Sequence, residues 1–134
     1  METGMDIIEQ KLGDVVLLDL GGWLDSRGCQ ALAARAIRVL DDGARVLLLD
    51  VSDLGYLTSE GLRTLLFVRQ QAIQVQTTLA LCGLAGSALE LFKISGLRGC
   101  FRVFDSQEHA LAEVQIGQGI GQIRTASFRP QIPG

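Results

Sequence analysis

The stretch from Leu47 to Leu66, LLLDVSDLGYLTSEGLRTLL, contains the residues whose types and spacing could support chemistry. An apolar run typical of a buried strand ends near Val51, a loop follows, and helical periodicity begins near Ser59. A hydroxyl at the start of a helix lies beside free backbone amides and the positive end of the helix dipole, and both stabilise a phosphate. A phosphate on Ser59 would therefore be stabilised at this position, and Thr58 is either a second candidate acceptor or a structural hydroxyl. The alternative is that Ser59 only caps the helix, because serine is a preferred N-cap residue.

The other reactive side chains form no catalytic or metal-binding set in the sequence. His109 is the single histidine, and it offers no Ser–His or Cys–His pair for nucleophilic catalysis. Asp50 and Asp53 lack a third ligand and a phosphate loop, so we expect strand-end and loop roles for them rather than magnesium binding. We predict a protein that is not an enzyme and that uses no metal and no cofactor.

Alternating strands and helices must position Ser59. Apolar runs rich in Val, Ile and Leu alternate with helical periodicity, the pattern of an α/β fold with a largely parallel sheet. Gly13 and Asp14 suit a hairpin turn between the first two strands. The predicted strands cover about 5–11, 14–20, 45–51, 77–82 and 100–104, and the predicted helices about 26–40, 59–75, 86–95 and 106–115.

Three of the four predicted helix starts carry a serine that can accept a hydrogen bond from a free amide: Ser26, Ser59 and Ser106. Asp25 either caps the first helix or lies near the phosphorylation site. Gly61 is expected to keep the first turn of the second helix uncrowded, so that another molecule can approach it.

One side of the helix that begins near Ser59 is apolar and is expected to face the sheet: Leu62, Leu65, Leu66, Ala72 and Ile73. Phe67 points away from this stripe. Together with Arg63 it suits a protein interface, where aromatic residues and arginine are enriched. The alternative is a single exposed apolar residue without a partner.

Composition limits the partners and the compartment. The net charge of −3 and the scattered arginines argue against nucleic-acid binding. No apolar run approaches the roughly 20 residues that span a bilayer, and the start has no secretion signal, so we predict a cytoplasmic protein without membrane insertion.

Cys29, Cys82 and Cys100 are expected to be buried and reduced. Residues 117–134 are expected to form a flexible tail after a domain of residues 1–116, and no internal repeat is evident.

The sequence resembles the STAS family, and within it the anti-sigma factor antagonists. The shared residues are Asp50 at a strand end, the run from Tyr56 to Arg63, Gly22 and Asp25 upstream, and LFKISGLRGCFRVFDSQEHAL downstream. The resemblance covers residues 5–115. It implies an α/β STAS-like sandwich with a mostly parallel five-stranded sheet and four helices.

The resemblance also implies a function: Ser59 falls at the phosphorylated serine. The implied partners are an anti-sigma factor serine kinase, which the unphosphorylated protein binds, and a metal-dependent serine phosphatase. Whether the chain forms a homodimer is left open. With the interface argument added, the predicted partner-binding residues are Asp25, Thr58, Ser59, Glu60, Gly61, Arg63 and Phe67.

Two residues depart from the family pattern. Thr58 replaces an aspartate or serine, and Glu60 replaces a small residue, so a carboxylate lies next to the predicted phosphate and opposes its charge. Two alternatives are kept: a STAS subunit of a stressosome-like or membrane lipid-transport complex, and a small nucleotide-binding protein or enzyme. The last would need a pocket with converging polar groups near Ser59.

Overall fold

The computed structural model describes residues 5–55 and 57–114. The strands are β1 (Met5–Leu12), β2 (Val15–Gly22), β3 (Val46–Leu54), β4 (Thr78–Cys82) and β5 (Arg102–Phe104). The helices are α1 (Ser26–Asp41), α2 (Ser59–Gln74), α3 (Gly86–Ser95), a 3₁₀ turn at Leu97–Cys100, and α4, whose described part covers 107–114. The predicted tail, 117–134, lies outside the described residues.

The five strands form one sheet in the order β1-β2-β3-β4-β5. Strand β1 runs antiparallel to β2, and the remaining pairs are parallel. The predicted α/β fold with a mostly parallel five-stranded sheet and four helices is therefore confirmed. Gly13 turns the β1–β2 hairpin with φ +66°, a conformation that glycine adopts without the steric cost of a side chain.

Helices cover both faces of the sheet. Successive residues of β2 point to opposite faces, so Leu18 belongs to the core under α1 and α2, whereas Leu17 belongs to the core under α4. Central strands buried on both faces have few polar positions, which explains the continuous apolar runs in the sequence. Leu65 and Val68 anchor α2 on the larger core.

Two side-chain predictions, those for Ile73 and Cys100, are wrong. Ile73 is 53% exposed, because Ala72 takes the sheet-facing position at the end of α2. Leu66, by contrast, packs against the core as predicted, although it is only half-buried. Cys29 and Cys82 are buried as expected, but Cys100 is exposed, because the 3₁₀ turn that it ends lies outside the sheet and was not predicted.

Candidate functional site

The amino end of α2 is capped by Thr58 and not by Ser59. Thr58 has an extended backbone (φ −101°, ψ 171°), and its hydroxyl oxygen accepts a hydrogen bond from the Gly61 amide at 3.0 Å. The same hydroxyl donates to the Leu24 carbonyl at 3.3 Å, which ties the loop before α2 to the loop before α1. The prediction that Ser59 caps the helix is therefore wrong, and Thr58 is the structural hydroxyl.

Ser59 is the first residue of α2 and is exposed. Within residues 5–55 and 57–114 its hydroxyl makes no hydrogen bond. Thr58 satisfies the amides of Gly61 and Leu62, through its hydroxyl and its carbonyl respectively. The amides at the first two helical positions have no partner within the helix, and the dipole adds positive potential there. The hydroxyl is thus accessible, uncommitted and next to groups that stabilise an anion.

Ser59 begins an exposed stripe along α2. Arg63 and Phe67 follow it at intervals of four residues, which places the three side chains on one face of the helix. Arg63 is exposed, and Phe67 is 45% exposed, as predicted. We call these three residues the Ser59 stripe. Because Leu62, Leu65 and Val68 are buried on the opposite side, the stripe is held facing solvent.

Glu60 lies against the amino end of α1. Its carboxylate accepts a hydrogen bond from the Ser26 hydroxyl at 3.0 Å. Ser26 is the first residue of α1 and not its cap. The cap is Asp25, whose carboxylate accepts from the Gly28 amide at 2.8 Å, so the prediction that Ser26 caps α1 is wrong and the capping role of Asp25 is confirmed.

Gly61 is buried. The prediction that it leaves the first turn of α2 open to another molecule is therefore wrong. A Cβ atom at Gly61 would lie 2.8 Å from both Leu24 Cδ2 and Leu57 Cδ1. Its missing side chain therefore lets two leucines of the core approach the first turn of α2. The role of this glycine is packing beneath the site.

Trp23 lies beside the site but is not among the predicted partner-binding residues. It is 49% exposed, and its ring covers Gly55, where a Cβ atom would lie 2.8 Å from Cζ3 of the indole. The Gly55 amide donates to the Gly22 carbonyl at 2.7 Å. The indole therefore packs on the segment that leads to Ser59. The signal that could have found it is the Gly–aromatic–Leu pattern that both loops share.

Asp50 has a structural role. It is 6% exposed and accepts hydrogen bonds from the Ser52 amide (2.9 Å), the Ser52 hydroxyl (2.6 Å) and Gln107 Nε2 (2.8 Å). Burial alone would raise the pKa of the Asp50 carboxyl, but the hydrogen bonds from Ser52 and Gln107 outweigh it and lower that pKa. Asp50 thereby links β3 to α4. The part of the chain that the structure describes holds no cluster of three residues that could bind a metal.

The pKa values of two groups near Asp50, the Asp19 carboxyl and the Cys82 thiol, are both raised. Burial, followed by repulsion from Asp50 and Asp53, raises the pKa of the Asp19 carboxyl. Burial, Asp50 and Asp19 raise the pKa of the Cys82 thiol to about 12, so this thiol stays protonated and unreactive near neutral pH.

A cavity of about 590 Å³ lies at the opposite end of the sheet from Ser59. Its lining includes Arg45, Thr78 and Arg102, from the amino ends of the parallel strands or the residue before them, together with Val75 at the end of α2. This cavity cannot serve a nucleotide or substrate that reacts at Ser59. No helix among the described residues is long and apolar enough to span a bilayer.

Known proteins are similar to this chain in sequence and in structure. A Bordetella bronchiseptica protein, BtrV, whose name provisionally assigns it as an anti-sigma factor antagonist, is 36% identical over 108 residues, 81% of this chain and 93% of that protein. An anti-sigma factor antagonist from Mycobacterium paratuberculosis has a TM-score of 0.75 at 19% identity, covering 83% of this chain and 94% of that one.

The antagonist SpoIIAA has the same fold in two states. Its unphosphorylated form has a TM-score of 0.72 at 19% identity, covering 82% of this chain and 96% of that one. The phosphorylated Bacillus form has a TM-score of 0.67 at 20% identity, covering 81% and 99%. The family described as Mlab, STAS domain matches residues 7–104, most of the chain. The sequence match and the shared fold agree, and the chain belongs to the STAS domain family.

Proposed function

We propose that this protein is an anti-sigma factor antagonist that binds its partner through the Ser59 stripe and the loops beside it, and that phosphorylation of Ser59 blocks this binding. The observation that carries the proposal is the state of the Ser59 hydroxyl. It is exposed at the start of α2 and makes no hydrogen bond to the residues that the structure describes, and Thr58 rather than Ser59 caps the helix. A modification can therefore change the surface without unfolding the helix.

The relatives support the regulatory part of the proposal. BtrV is named as an antagonist, and SpoIIAA is known in phosphorylated and unphosphorylated forms. In the proposal the partner is an anti-sigma factor serine kinase in the cytoplasm, which binds the unphosphorylated protein. A metal-dependent serine phosphatase restores that form. The chain acts by binding and catalyses no reaction.

The partner-binding surface consists of exposed and half-exposed side chains around Ser59. Arg63 and Phe67 supply the kinds of groups that are enriched at interfaces, while Asp25 and Thr58 shape the two loops and Gly61 supports them from below. A phosphate adds about −1.5 to −2 charges at neutral pH. In an interface that charge must lose water or face partner acids, and a cost of about 2.7 kcal/mol weakens binding about a hundredfold.

The test begins with capture of the partner by the unphosphorylated protein from lysate of the native organism, followed by calorimetry with the purified partner. Ser59→Ala should bind as tightly as the wild type and should resist inactivation by kinase and ATP. Ser59→Asp should bind about a hundredfold more weakly and remain folded, because an acid in the first turn suits the helix dipole.

The control is Ser87→Asp, which adds the same charge to an exposed serine in the first turn of α3. It should leave affinity unchanged. Equal affinities for the wild type, Ser59→Ala and Ser59→Asp would disprove the switch. Capture of a transport or stressosome-like complex instead of an anti-sigma factor would favour that alternative, because the fold by itself does not determine the partner.

A further inference from the structure

The loops before α1 and α2 are built from matching sequences. Gly22-Trp23-Leu24-Asp25-Ser26-Arg27-Gly28 in the first corresponds, position by position, to Gly55-Tyr56-Leu57-Thr58-Ser59-Glu60-Gly61 in the second. A buried leucine follows four residues later in both, Leu32 and Leu65. The expectation that the chain has no internal repeat is thus corrected: two short strand–loop–helix units repeat side by side.

The described backbone of the two units is also alike. Asp25 and Thr58 are both extended N-caps, and each accepts a hydrogen bond from the amide of the glycine three residues later. The carbonyl of each cap accepts from the amide four residues later, at 2.7 Å for Asp25 and 2.9 Å for Thr58. Ser26 and Ser59 therefore occupy equivalent first positions of two neighbouring helices.

The two serines nevertheless differ in their hydrogen bonding. The Ser26 hydroxyl donates to Glu60, whereas the Ser59 hydroxyl makes no hydrogen bond within the described residues. The Glu60 carboxylate, which follows Ser59 directly in the chain, is thus hydrogen-bonded to α1. The position after each serine carries opposite charge, Arg27 in the first unit and Glu60 in the second.

We propose that Ser26 is a positioning residue, which holds the Glu60 carboxylate against α1 and so keeps it away from the hydroxyl, or the phosphate, of Ser59. The regulatory meaning of this contact rests on the proposed function. In this proposal the hydroxyl equivalent to Ser59 in the first unit, that of Ser26, binds the acidic residue that follows Ser59. Ser26 is in this role the partner of Glu60 and not a second phosphate acceptor.

The charged side chains on the first turns of α1 and α2 are the ones expected to influence the pKa of a phosphate at Ser59. They are Arg27 on α1 and Glu60 and Arg63 on α2, with the cap Asp25 bound to the Gly28 amide. Among these, Glu60 is the one that Ser26 binds. Removal of the Ser26 hydroxyl releases a carboxylate that can then approach the phosphate, and a like charge nearby disfavours the second ionisation.

The test installs phosphoserine at position 59 of the full chain during translation and follows its second ionisation by ³¹P NMR titration. Ser26→Ala should raise the phosphate pKa by about 0.3 units, the size expected when a carboxylate moves about 2 Å closer in a water-like dielectric. Ser26→Thr, which keeps the hydroxyl, should match the wild type. Glu60→Gln should lower the pKa, because a negative charge is removed.

The double variant decides the mechanism. In the Glu60→Gln background, Ser26→Ala should have no effect on the phosphate pKa, because no carboxylate remains to be released. An unchanged or lowered pKa in Ser26→Ala alone, or an equal shift with and without Glu60, would overturn the proposal. Thermal melts of each variant check folding. The phosphate is installed without a kinase, so failure here is separate from failure of partner binding, which calorimetry with Ser59→Asp measures.

Discussion

The β2–α1 and β3–α2 units of this protein start from similar sequences and end with different surfaces. Asp19 and Asp50 face each other in register on the paired strands, and each strand leads through a Gly–aromatic–Leu loop to a capped helix. The segment from Asp50 to Gly55 is two residues longer than the one from Asp19 to Gly22, and the register shifts between Asp19 and Gly21. The local sequence therefore builds the start of each helix, whereas the length and residues of the preceding connection determine what surrounds it.

The longer connection has a direct electrostatic consequence. It contains Ser52, whose amide and hydroxyl both donate to Asp50. Asp19 has no equivalent donor in its shorter connection, and the pKa values of the two carboxyls shift in opposite directions. The ionised form of the Asp50 carboxyl is thus stabilised by its surroundings, whereas the ionised form of the paired Asp19 carboxyl is destabilised.

The largest expected effect tests how tightly each unit is packed around its glycine. A Cβ atom at Gly28 would lie 2.6 Å from the Trp23 carbonyl oxygen, which is backbone and cannot turn aside. At Gly61 the obstacles are the ends of two leucine side chains, which can. Gly28→Ala should lower the free energy of unfolding by about 3 kcal/mol and Gly61→Ala by about 1 kcal/mol, as measured by urea denaturation.

Gly99→Ala is the control for this pair, because nothing lies within 4 Å of its Cβ position. It should change stability by less than about 0.5 kcal/mol. Equal losses for Gly28→Ala and Gly61→Ala would mean that the first unit can adjust its backbone as easily as the second adjusts its side chains.

The next largest effect is the change in the free energy of unfolding when Asp50 or Asp19 is replaced by asparagine. Asp50→Asn should cost about 2 kcal/mol at neutral pH, since it disturbs three hydrogen bonds to a buried carboxylate. Asp19→Asn should be neutral or stabilising by no more than about 0.5 kcal/mol, because solvent screens this partly exposed group. Denaturant unfolding of both variants against the wild type measures the contrast, and a larger loss at Asp19 would reverse it.

The pH dependence provides a second check, with opposite signs for the two groups. The folded-state pKa of Asp50 is lowered, so its stabilisation is present above the ordinary value of 3.8 and is lost as the pH falls through the folded value. The difference between wild type and Asp50→Asn should therefore shrink in acid. The pKa of Asp19 is raised, so any gain from Asp19→Asn should appear as the pH rises above 3.8.

The smallest effect tests which hydroxyl caps α2. Thr58→Ala should lower the free energy of unfolding by about 1 kcal/mol, because the Gly61 amide loses its acceptor. Ser59→Ala should change it by less than about 0.5 kcal/mol. Asp25→Ala, which removes the equivalent cap of α1, should match Thr58→Ala. Thermal or urea melts that show the greater loss at Ser59 would return the capping role to that residue.

Much of the fold follows from patterns that operate within short segments. The continuous apolar run that ends in Val51 predicts a strand buried on both faces, and the helical spacing of Leu62 and Leu65 predicts which side of α2 faces the sheet. Phe67 is exposed as predicted because its direction depends only on the helical angle from its neighbours. The prediction fails at Ile73 because the pattern within the helix does not determine which of two adjacent apolar residues, Ala72 or Ile73, faces the sheet near the end of α2.

The sequence by itself determined the order of strands and helices, the largely parallel sheet and the position of Ser59 at a helix start. Only the tertiary structure decided that Thr58 is the cap, that Gly61 packs on Leu24, and that Ser26 binds Glu60 from 34 residues away. The physical reason is the parallel pairing of β2 with β3, which brings two similar loops together. Neighbouring hydroxyls have nearly equal capping ability in a sequence, and the choice between them depends on where the incoming strand leaves the backbone.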